Sequence, residues 1–387
     1  MLLAHKIELR PTKQQADYLD RAFGSRRHAF NQLLAHFNQE GVKWSKKAAN
    51  EKYQELRLEF PWYAEVSQRV TRNTIDDLHD AFTHFFRRVK KGEKAGYPRF
   101  KKRGLHDSFS LREKPKFDVD GRTLRIEKLK TRIKMRQELR FTGTPCQVTI
   151  SKRAEKYFAS ILVDTQDYDP KAQSNESVGV DFGIKDLAIC SNGKTFAANQ
   201  KLKGSLKRLN RKQRALSRKT KGSNRYVKAK RAVAKLHYRI SNQRSAVLHE
   251  VSDYLTSRFK IITLENLNVK GMVKNRKLAR AISDAGFGKL RELVEYKAEL
   301  RGCQVVIADR FFPSSKKCAV HTCDYVNDNL TLSDREWRCP KCKTLHDRDY
   351  SASFNLDNYG RDTLQLDPKP YARVELDTIR RASMWTA

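Results

Sequence analysis

The chain has 387 residues, with 80 Lys and Arg against 44 Asp and Glu, a formal net charge of +36. That length supports a sizeable core divided over two or three domains. The charge argues against an enzyme of small neutral substrates and for a polyanionic partner, because each phosphate neutralised by Lys or Arg releases condensed counterions. An anionic membrane surface is the weaker reading, since no lipidation signal and no long Lys-rich amphipathic helix closes a domain. There is no apolar run of about 18 residues, so no membrane span is expected. The first charge, at Lys6, comes too early for a secretory signal core. The expected location is the cytosol or nucleoid of a bacterium or archaeon, where the seven cysteines favour metal over disulfides.

The first eleven residues end in KIELRP (Lys6 to Pro11), which alternates like a strand. Thr12 followed by Gln15 is a capping box that starts a helix. Phe30, Leu33, Leu34 and Phe37 then share one helical face, and Leu78, Phe82, Phe85, Phe86 and Val89 repeat the pattern. Residues 12–104 are therefore expected to form a helical unit, closed by the basic, Gly/Pro-punctuated loop KKGEKAGYPRFKKR. Residues 105–175 read as strands. FDVDGRTLRI turns at Asp120-Gly121, and QVTISKRAEKYFASILV repeats the hairpin. With residues 1–11 as an added strand, these make a small β-barrel. TQDYDPKAQSNES is a polar linker.

VGVDFGIKDLAIC (Val178 to Cys190) opens an α/β domain over residues 176–310, and SNGKTF continues it as a meander through an Asn-Gly turn. From Lys201 to Glu250 the sole acidic residue is Glu250, whereas 17 positions are Lys or Arg. Leu202, Leu206, Leu209 and Leu216 form one apolar stripe, and Val233, Leu236, Ile240 and Val247 another. Two basic helices over residues 201–250, joined near KGSN, are expected to lie on a phosphate backbone through residues such as Lys207, Arg208, Arg211, Lys212 and Arg214. FKIITLENL is a buried strand ending in Glu265, SDAGFGKLRELVEYKAELRG a helix, and CQVVIAD a further strand. A cysteine-rich insert (residues 311–345) precedes a last helix (residues 346–364) and a tail (365–387) expected to be disordered.

The insert brings Cys318, Cys323, Cys339 and Cys342 into one excursion. One structural zinc takes four tetrahedral sulfur or nitrogen ligands, and two ligand pairs on tight turns supply them. Cys339-Pro-Lys-Cys342 is one such half. In the other, four residues separate Cys318 from Cys323 and His321 lies between them, so a Cys318–His321 pair is the alternative to the preferred set of four cysteines.

Asp181 interrupts an apolar strand, and burying a lone carboxylate is costly. Glu265 ends another strand and Asp349 opens the last helix. One sheet edge can gather the three, and converging carboxylates repel unless cations neutralise them. A pair of Mg²⁺ (or Mn²⁺) ions about 3.5–4 Å apart does so and hydrolyses phosphodiesters. Asp347 is a rival third ligand and Asp186 a weaker one. No Ser-His-Asp order, P-loop or dinucleotide glycine pattern stands out, and Cys190 and Cys303 read as core residues.

VGVDFGIKDLAIC, ITLENLNVKGM, ISDAGFGKLRELVEYKA, FFPSSKKC, LSDREWRCPKC and HDRDYSASFNL, in this order, resemble the TnpB family. These are transposon-encoded RNA-guided nucleases, also called OrfB transposases, related to the type V CRISPR effectors. AGYPRFKKR and the helix from Ala81 to Phe86 resemble the family's N-terminal half, so the likeness covers roughly residues 5 to 360. It implies an α/β multidomain protein. An RNase H-like RuvC nuclease domain would carry a zinc-ribbon insert, and a wedge-like β-barrel would carry an inserted helical recognition unit. It makes Asp181, Glu265 and Asp349, the second Asp of D-R-D, the catalytic acids. It further implies a guide RNA from the transposon end and a double-stranded DNA target cut beside a short motif, with base pairing reading the rest. The oligomeric state is not fixed by the sequence, and a monomer in the RNA complex is the expectation. SQRVTRNT (Ser67 to Thr74) matches the family's helix facing that motif, where Arg72 would read guanine and Asn73 adenine. CAVHTC departs from the family's usual Cys-x-x-Cys, SFN after Asp349-Tyr350 replaces a run of small residues, and Phe287 stands where Trp is common. Two other functions share these features. An RNA-guided repressor that does not cut is disfavoured by the three retained acids. A transposase proper would need strand-transfer chemistry.

Overall fold

In the computed structural model the chain divides into two compact units, residues 1–168 and 169–387. The structure describes every residue except 114, 167–169, 171, 173, 199–200, 332 and 372–387, and the side chains of 201 and 203 are likewise outside it.

In the first unit β1 (Leu2–Arg10) is followed by helices α1 (Lys13–Phe37), α2 (Lys46–Glu59), α3 (Gln68–Arg72) and α4 (Thr74–Lys90). Strands β2 (Ser108–Leu111), β3 (Phe117–Asp120), β4 (Thr123–Ile126), β5 (Ile133–Met135), β6 (Thr144–Arg153) and β7 (Lys156–Asp164) come next. The seven strands run in the order β2-β6-β7-β1-β5-β4-β3, with every pairing antiparallel. The sheet curls until β3 returns beside β6, a nearly closed barrel. Alternation decides which side chains face inward: Leu3, Ile7 and Leu9 of β1 are buried and their neighbours are not. The β3–β4 turn places Gly121 at φ 49°, and the β6–β7 turn puts Ala154 and Glu155 at φ 50° and 67°. A two-residue hairpin of this hand needs positive φ at both central positions, so here two ordinary residues accept the strain.

Thr12 and Gln15 form the capping box at the head of α1. Beyond it α1 serves two cores. Tyr18, Leu19, Ala22 and Phe23 pack with Ile7, Phe109 and Ile150 inside the barrel. Phe30, Leu33, Leu34 and Phe37 pack instead with Tyr53, Leu78 and Phe82 of α2 and α4. The helical segment is thus not walled off from the barrel. The expected apolar face of α4 is also shorter than its sequence pattern, because Phe86 and Val89 are 54% and 52% exposed. The helix outruns the partners that could cover them.

The second unit contains β8 (Ser177–Asp181), β9 (Asp186–Cys190), β10 (Thr195–Ala197), α5 (Lys201–Ser217), α6 (Asn224–Arg258) and β11 (Ile261–Leu264). It continues with α7 (Val269–Met272), α8 (Ala279–Ala285), α9 (Phe287–Arg301), β12 (Gln304–Ile307), β13 (Glu336–Arg338), β14 (Leu345–Asp347) and α10 (Arg348–Thr363). Its main sheet has the order β10-β9-β8-β11-β12. The first three strands form an antiparallel meander, and β11 and β12 add in parallel to β8. This order fits the RNase H-like arrangement expected from the sequence.

Val178 and Val180 point to the face packed by Val251 and Leu255 of α6 and Leu290 and Val294 of α9. With the strand period of two, Gly179 and Asp181 point to the opposite face, where α10 lies. A Cβ on Gly179 would stand 2.0 Å from the Ser353 carbonyl oxygen and 2.3 Å from the Asp357 nitrogen. On Gly360 of α10 it would stand 1.8 Å from the Thr263 hydroxyl of β11. These two missing side chains let α10 sit directly on β8 and β11. The helix expected from Ser283 onward is broken at Gly286 (φ 70°), which ends α8 and starts α9.

Residues 365–371 of the tail, expected to be disordered, have defined partners. Lys369 exchanges hydrogen bonds with the Asn358 side chain and donates its ammonium to the buried Asp357 at 2.9 Å. Tyr371 packs against His346 and Phe354. The rest of the tail lies outside the described residues. Among those described, no helix is long and apolar enough to cross a membrane.

Candidate active site and metal centre

β8 and β11 are parallel neighbours with Val180 opposite Leu264. The next residue on each chain, Asp181 and Glu265, therefore emerges at the same edge, outside the carboxyl ends of the strands, where open α/β sheets characteristically place ligands. The Phe182 backbone N–H donates to Glu265 Oε1 at 2.8 Å, fixing one carboxylate, and the two carboxyl groups are within hydrogen-bonding reach of one another. Burial raises the pKa of Asp181 well above the carboxylate range. The adjacent charge of Glu265 and the more distant one of Asp349 push the same way, and Arg348 opposes them. Glu265 is also raised, by burial first, with the Phe182 N–H opposing and Asp349 adding. Burial above all, and then the neighbouring carboxylates, disfavour the charged forms of both groups, a cost that a bound cation would relieve.

Asp349 reaches this edge from the first turn of α10. Arg348 Nε and Nη2 donate to its Oδ1 at 2.9 and 2.8 Å, and Arg335 Nη1 to its Oδ2 at 2.9 Å. Asp347 has a different job: its Oδ1 accepts the Tyr350 N–H at 2.8 Å and caps α10. Asp186 opens β9, paired through its backbone to Ala197. Asp181 and Glu265 thus meet at this edge and Asp349 acts on both through its charge. The three carboxylates are not drawn together as tightly as the four cysteine sulfurs, but they are hard oxygen donors of the kind divalent cations take.

Beside it, β13 and β14 form a hairpin pairing Trp337 with His346. The knuckle at its tip has Cys339 N–H on the Thr344 carbonyl and Lys343 N–H on the Cys339 carbonyl, with Lys343 at φ 59°. On the facing loop, Cys323 N–H donates to the Val320 carbonyl. That turn absorbs the long Cys318–Cys323 spacing. All four sulfurs lie within 4.8 Å of one another, with Cys318–Cys342 at 3.5 Å and Cys323–Cys339 at 3.7 Å. A tetrahedron of Zn–S bonds of about 2.3 Å has edges of about 3.8 Å, so the four thiols fit zinc. His321 is exposed and stands outside the group. The histidine nearest the sulfurs is instead His346, fully buried, its Nε2 3.2 Å from Cys318 Sγ, its pKa lowered by burial to about 4.

Lys207, Arg208, Arg211, Lys212 and Arg214 are all exposed on α5, while Leu202 and Leu209 of that helix pack with Val233, Leu236 and Ile240 of α6. Arg72 is exposed at the end of α3. Asn73 is not available as a base reader. It is 8% exposed and its Nδ2 donates to the Ser110 carbonyl of β2 at 2.8 Å, so it is spent joining the helices to the barrel. Arg335, Arg348 and His346 went unremarked in the sequence. Their one signal was position: Arg335 and His346 flank the cysteine pair, and Arg348 is the middle residue of D-R-D.

The strand order of the second unit fits the RNase H-like arrangement that the sequence led one to expect. Comparison with known proteins goes further. Residues 160–276 match the OrfB_IS605 family, described as "Probable transposase", and residues 287–356 match the "Cas12f1-like, TNB domain". Residues 1–41 match a "Helix-turn-helix domain", though here they comprise β1 and the single long helix α1. A Streptomyces pristinaespiralis protein carrying the provisional name RNA-guided DNA endonuclease is 34% identical over 91% of this chain and 88% of its own. An Escherichia coli K12 protein with the same provisional name is 30% identical over 92% and 91%. The solved Cas12f1–sgRNA–target DNA complex shares the fold, with a TM-score of 0.51 at 13% identity over 92% of this chain and 99% of that one. The chain belongs to the TnpB family of OrfB-type proteins.

Proposed function

We propose that this protein is an RNA-guided DNA endonuclease that cuts double-stranded DNA beside a short recognised motif. The observation that carries the reading is the buried carboxyl pair Asp181–Glu265, brought to one sheet edge by the parallel pairing of β8 and β11, with Asp349 acting on both. Two divalent cations bound there would supply an activated water and neutralise charge on the leaving oxygen. Asp181 and Glu265 would serve as ligands in their deprotonated forms, which the cations would favour over the protonated forms that burial favours. Arg348 and Arg335 hold the Asp349 carboxylate in one orientation, and α10 keeps it at a fixed height above the sheet. The zinc held by Cys318, Cys323, Cys339 and Cys342 is structural in this reading, since four protein ligands leave no open position. The exposed cations of α5 engage the guide RNA or its duplex with the target strand. Two provisionally named relatives that match over nearly their full length support the RNA-guided activity.

The test is a purified complex with its co-purifying RNA, assayed on a plasmid bearing the RNA-matched sequence, with and without Mg²⁺. Asp349→Ala should abolish cutting while target binding survives. Asp347→Ala, which removes a helix cap worth about 1 kcal/mol, should cost much less. Binding without cutting by the unaltered protein would make it a repressor, and strand joining would make it a transposase proper.

A further inference from the structure

A second concave site lies in the nuclease unit, on the side of the sheet away from α10. Helices α5, α6 and α8 enclose a cavity of about 420 Å³, within the range of about 300–1,000 Å³ typical of small-molecule pockets. Its walls are apolar: Leu187 of β9, Leu202 and Leu206 of α5, Val247 and Leu248 of α6, and Ala281 of α8. Its polar groups are Lys207, Asn210, Arg244, Arg280 and Asp284. The acidic member is already neutralised, since Asp284 pairs with Arg244 and stands 3.9 Å from Arg280. Lys207 makes no ion pair among the described residues, so the site keeps a net positive charge. Ile184, 37% exposed, adds an apolar side chain to the lining.

This combination suits one ligand chemistry. A nucleobase turned out of its stack offers a flat, largely apolar body with hydrogen-bonding edges, attached to a phosphate. The apolar walls take the ring, Asn210 or the Asp284 carboxylate meets its edge or a ribose hydroxyl, and Lys207 and Arg280 take the phosphate. The pocket draws Lys207 and Asn210 from the same helix that presents Arg208, Arg211 and Lys212 to solvent. A strand lying along those cations therefore passes the pocket. Unstacked bases splayed into protein pockets are the usual currency of RNA recognition, and a carboxylate at the site can accept from a 2′-hydroxyl that DNA lacks.

We propose that this pocket binds a single unstacked nucleotide of the guide RNA. The proposal rests on the RNA-guided reading above and is tested separately from it. The complex is assembled with RNA carrying 4-thiouridine at successive positions or, in a second arm, with target DNA carrying 4-thiothymidine. After irradiation, the cross-linked peptides are mapped by mass spectrometry. One RNA position should attach to peptides containing Leu206, Val247 or Ala281. Ala281→Trp, which fills the cavity, should remove that cross-link, keep those on the outer face of α5, and weaken RNA binding roughly tenfold. Arg280→Ala, an exposed change that spares the walls, should weaken the same cross-link, and a melting curve on each variant verifies folding. RNA cross-links confined to the outer face of α5, with plasmid cutting intact, would overturn the pocket and leave the endonuclease reading standing. Pocket cross-links from DNA alone would overturn the assignment to RNA. Failure to bind any RNA would overturn both.

Discussion

Replacing Asp181 by Asn should make the metal-free protein more stable. Asp181 and Glu265 lie within hydrogen-bonding reach, and burial holds both pKa values up. Two ionised carboxylates about 4 Å apart repel by about 4 kcal/mol at an effective dielectric constant of 20. The folded protein evades part of this by retaining a proton, which leaves a penalty of about 2 kcal/mol near neutral pH. A carboxyl group that binds its proton more tightly when folded contributes stability that is complete below the unfolded carboxylate range, near pH 4, and is lost as the pH rises through the folded value. The wild type should therefore lose stability as the pH rises above the ordinary carboxylate range, and Asp181→Asn should lose less. At pH 8 the variant should melt about 4–8 °C higher, taking 2–4 °C per kcal/mol for a unit of this size. The assay is thermal melting monitored by circular dichroism, on zinc-loaded protein in buffer stripped of other divalent ions. Added Mg²⁺ should then raise the wild-type midpoint through binding to the native state and leave the variant unmoved. A variant that melts lower by the same margin at every pH would refute the coupling and make Asp181 an ordinary structural residue.

Cys323→Ala should release the zinc and His321→Ala keep it, as read by elemental analysis, because His321 stands outside the sulfur cluster. The reverse result would mean a Cys318–His321 pair. Neutralising Lys207, Arg208, Arg211, Lys212 and Arg214 together should flatten the salt dependence of RNA binding by roughly 0.7–0.9 in log–log slope per lost phosphate contact, and an unchanged slope would return this face to plain solvation. Gly179→Ala should destabilise the second unit by about 3 kcal/mol or more, since the new methyl would meet the α10 backbone at 2.0 Å. A melting curve within a degree of wild type would show that α10 docks less closely.

Much of this was legible in the sequence because it is local. The period-two alternation of β1, the Thr12–Gln15 cap, the Asn-Gly turn at Gly193 and the basic helices each rest on residues a few positions apart. The acids Asp181 and Glu265 were legible because each interrupts or ends an apolar strand run, while the parallel pairing that puts them side by side was not. What the sequence hid is set by contacts between distant positions. Asn73 looks like an exposed polar residue until Ser110, 37 residues away, takes its side chain. Phe86 and Val89 continue an apolar period past the point where the bundle covers it, leaving them half exposed. Lys369 anchors the tail through Asp357 and the Ser177 carbonyl, the latter 192 residues away. The clamp on Asp349 depends on Arg335, which only the hairpin of β13 and β14 brings near.

Helix α1 has a mechanical consequence. It is one unbroken rod of 25 residues, about 37 Å long at about 1.5 Å per residue. One end is embedded in the barrel and the other in the bundle of α2 and α4. A helix is stiff over that distance, so the bundle cannot hinge on the barrel without bending the rod or tearing one end from its core. Torque applied by anything gripping the bundle reaches the barrel undiminished, with α1 as the lever arm. The parts of this unit that this lever does not brace are the exposed end of α4 and the basic loop that follows it.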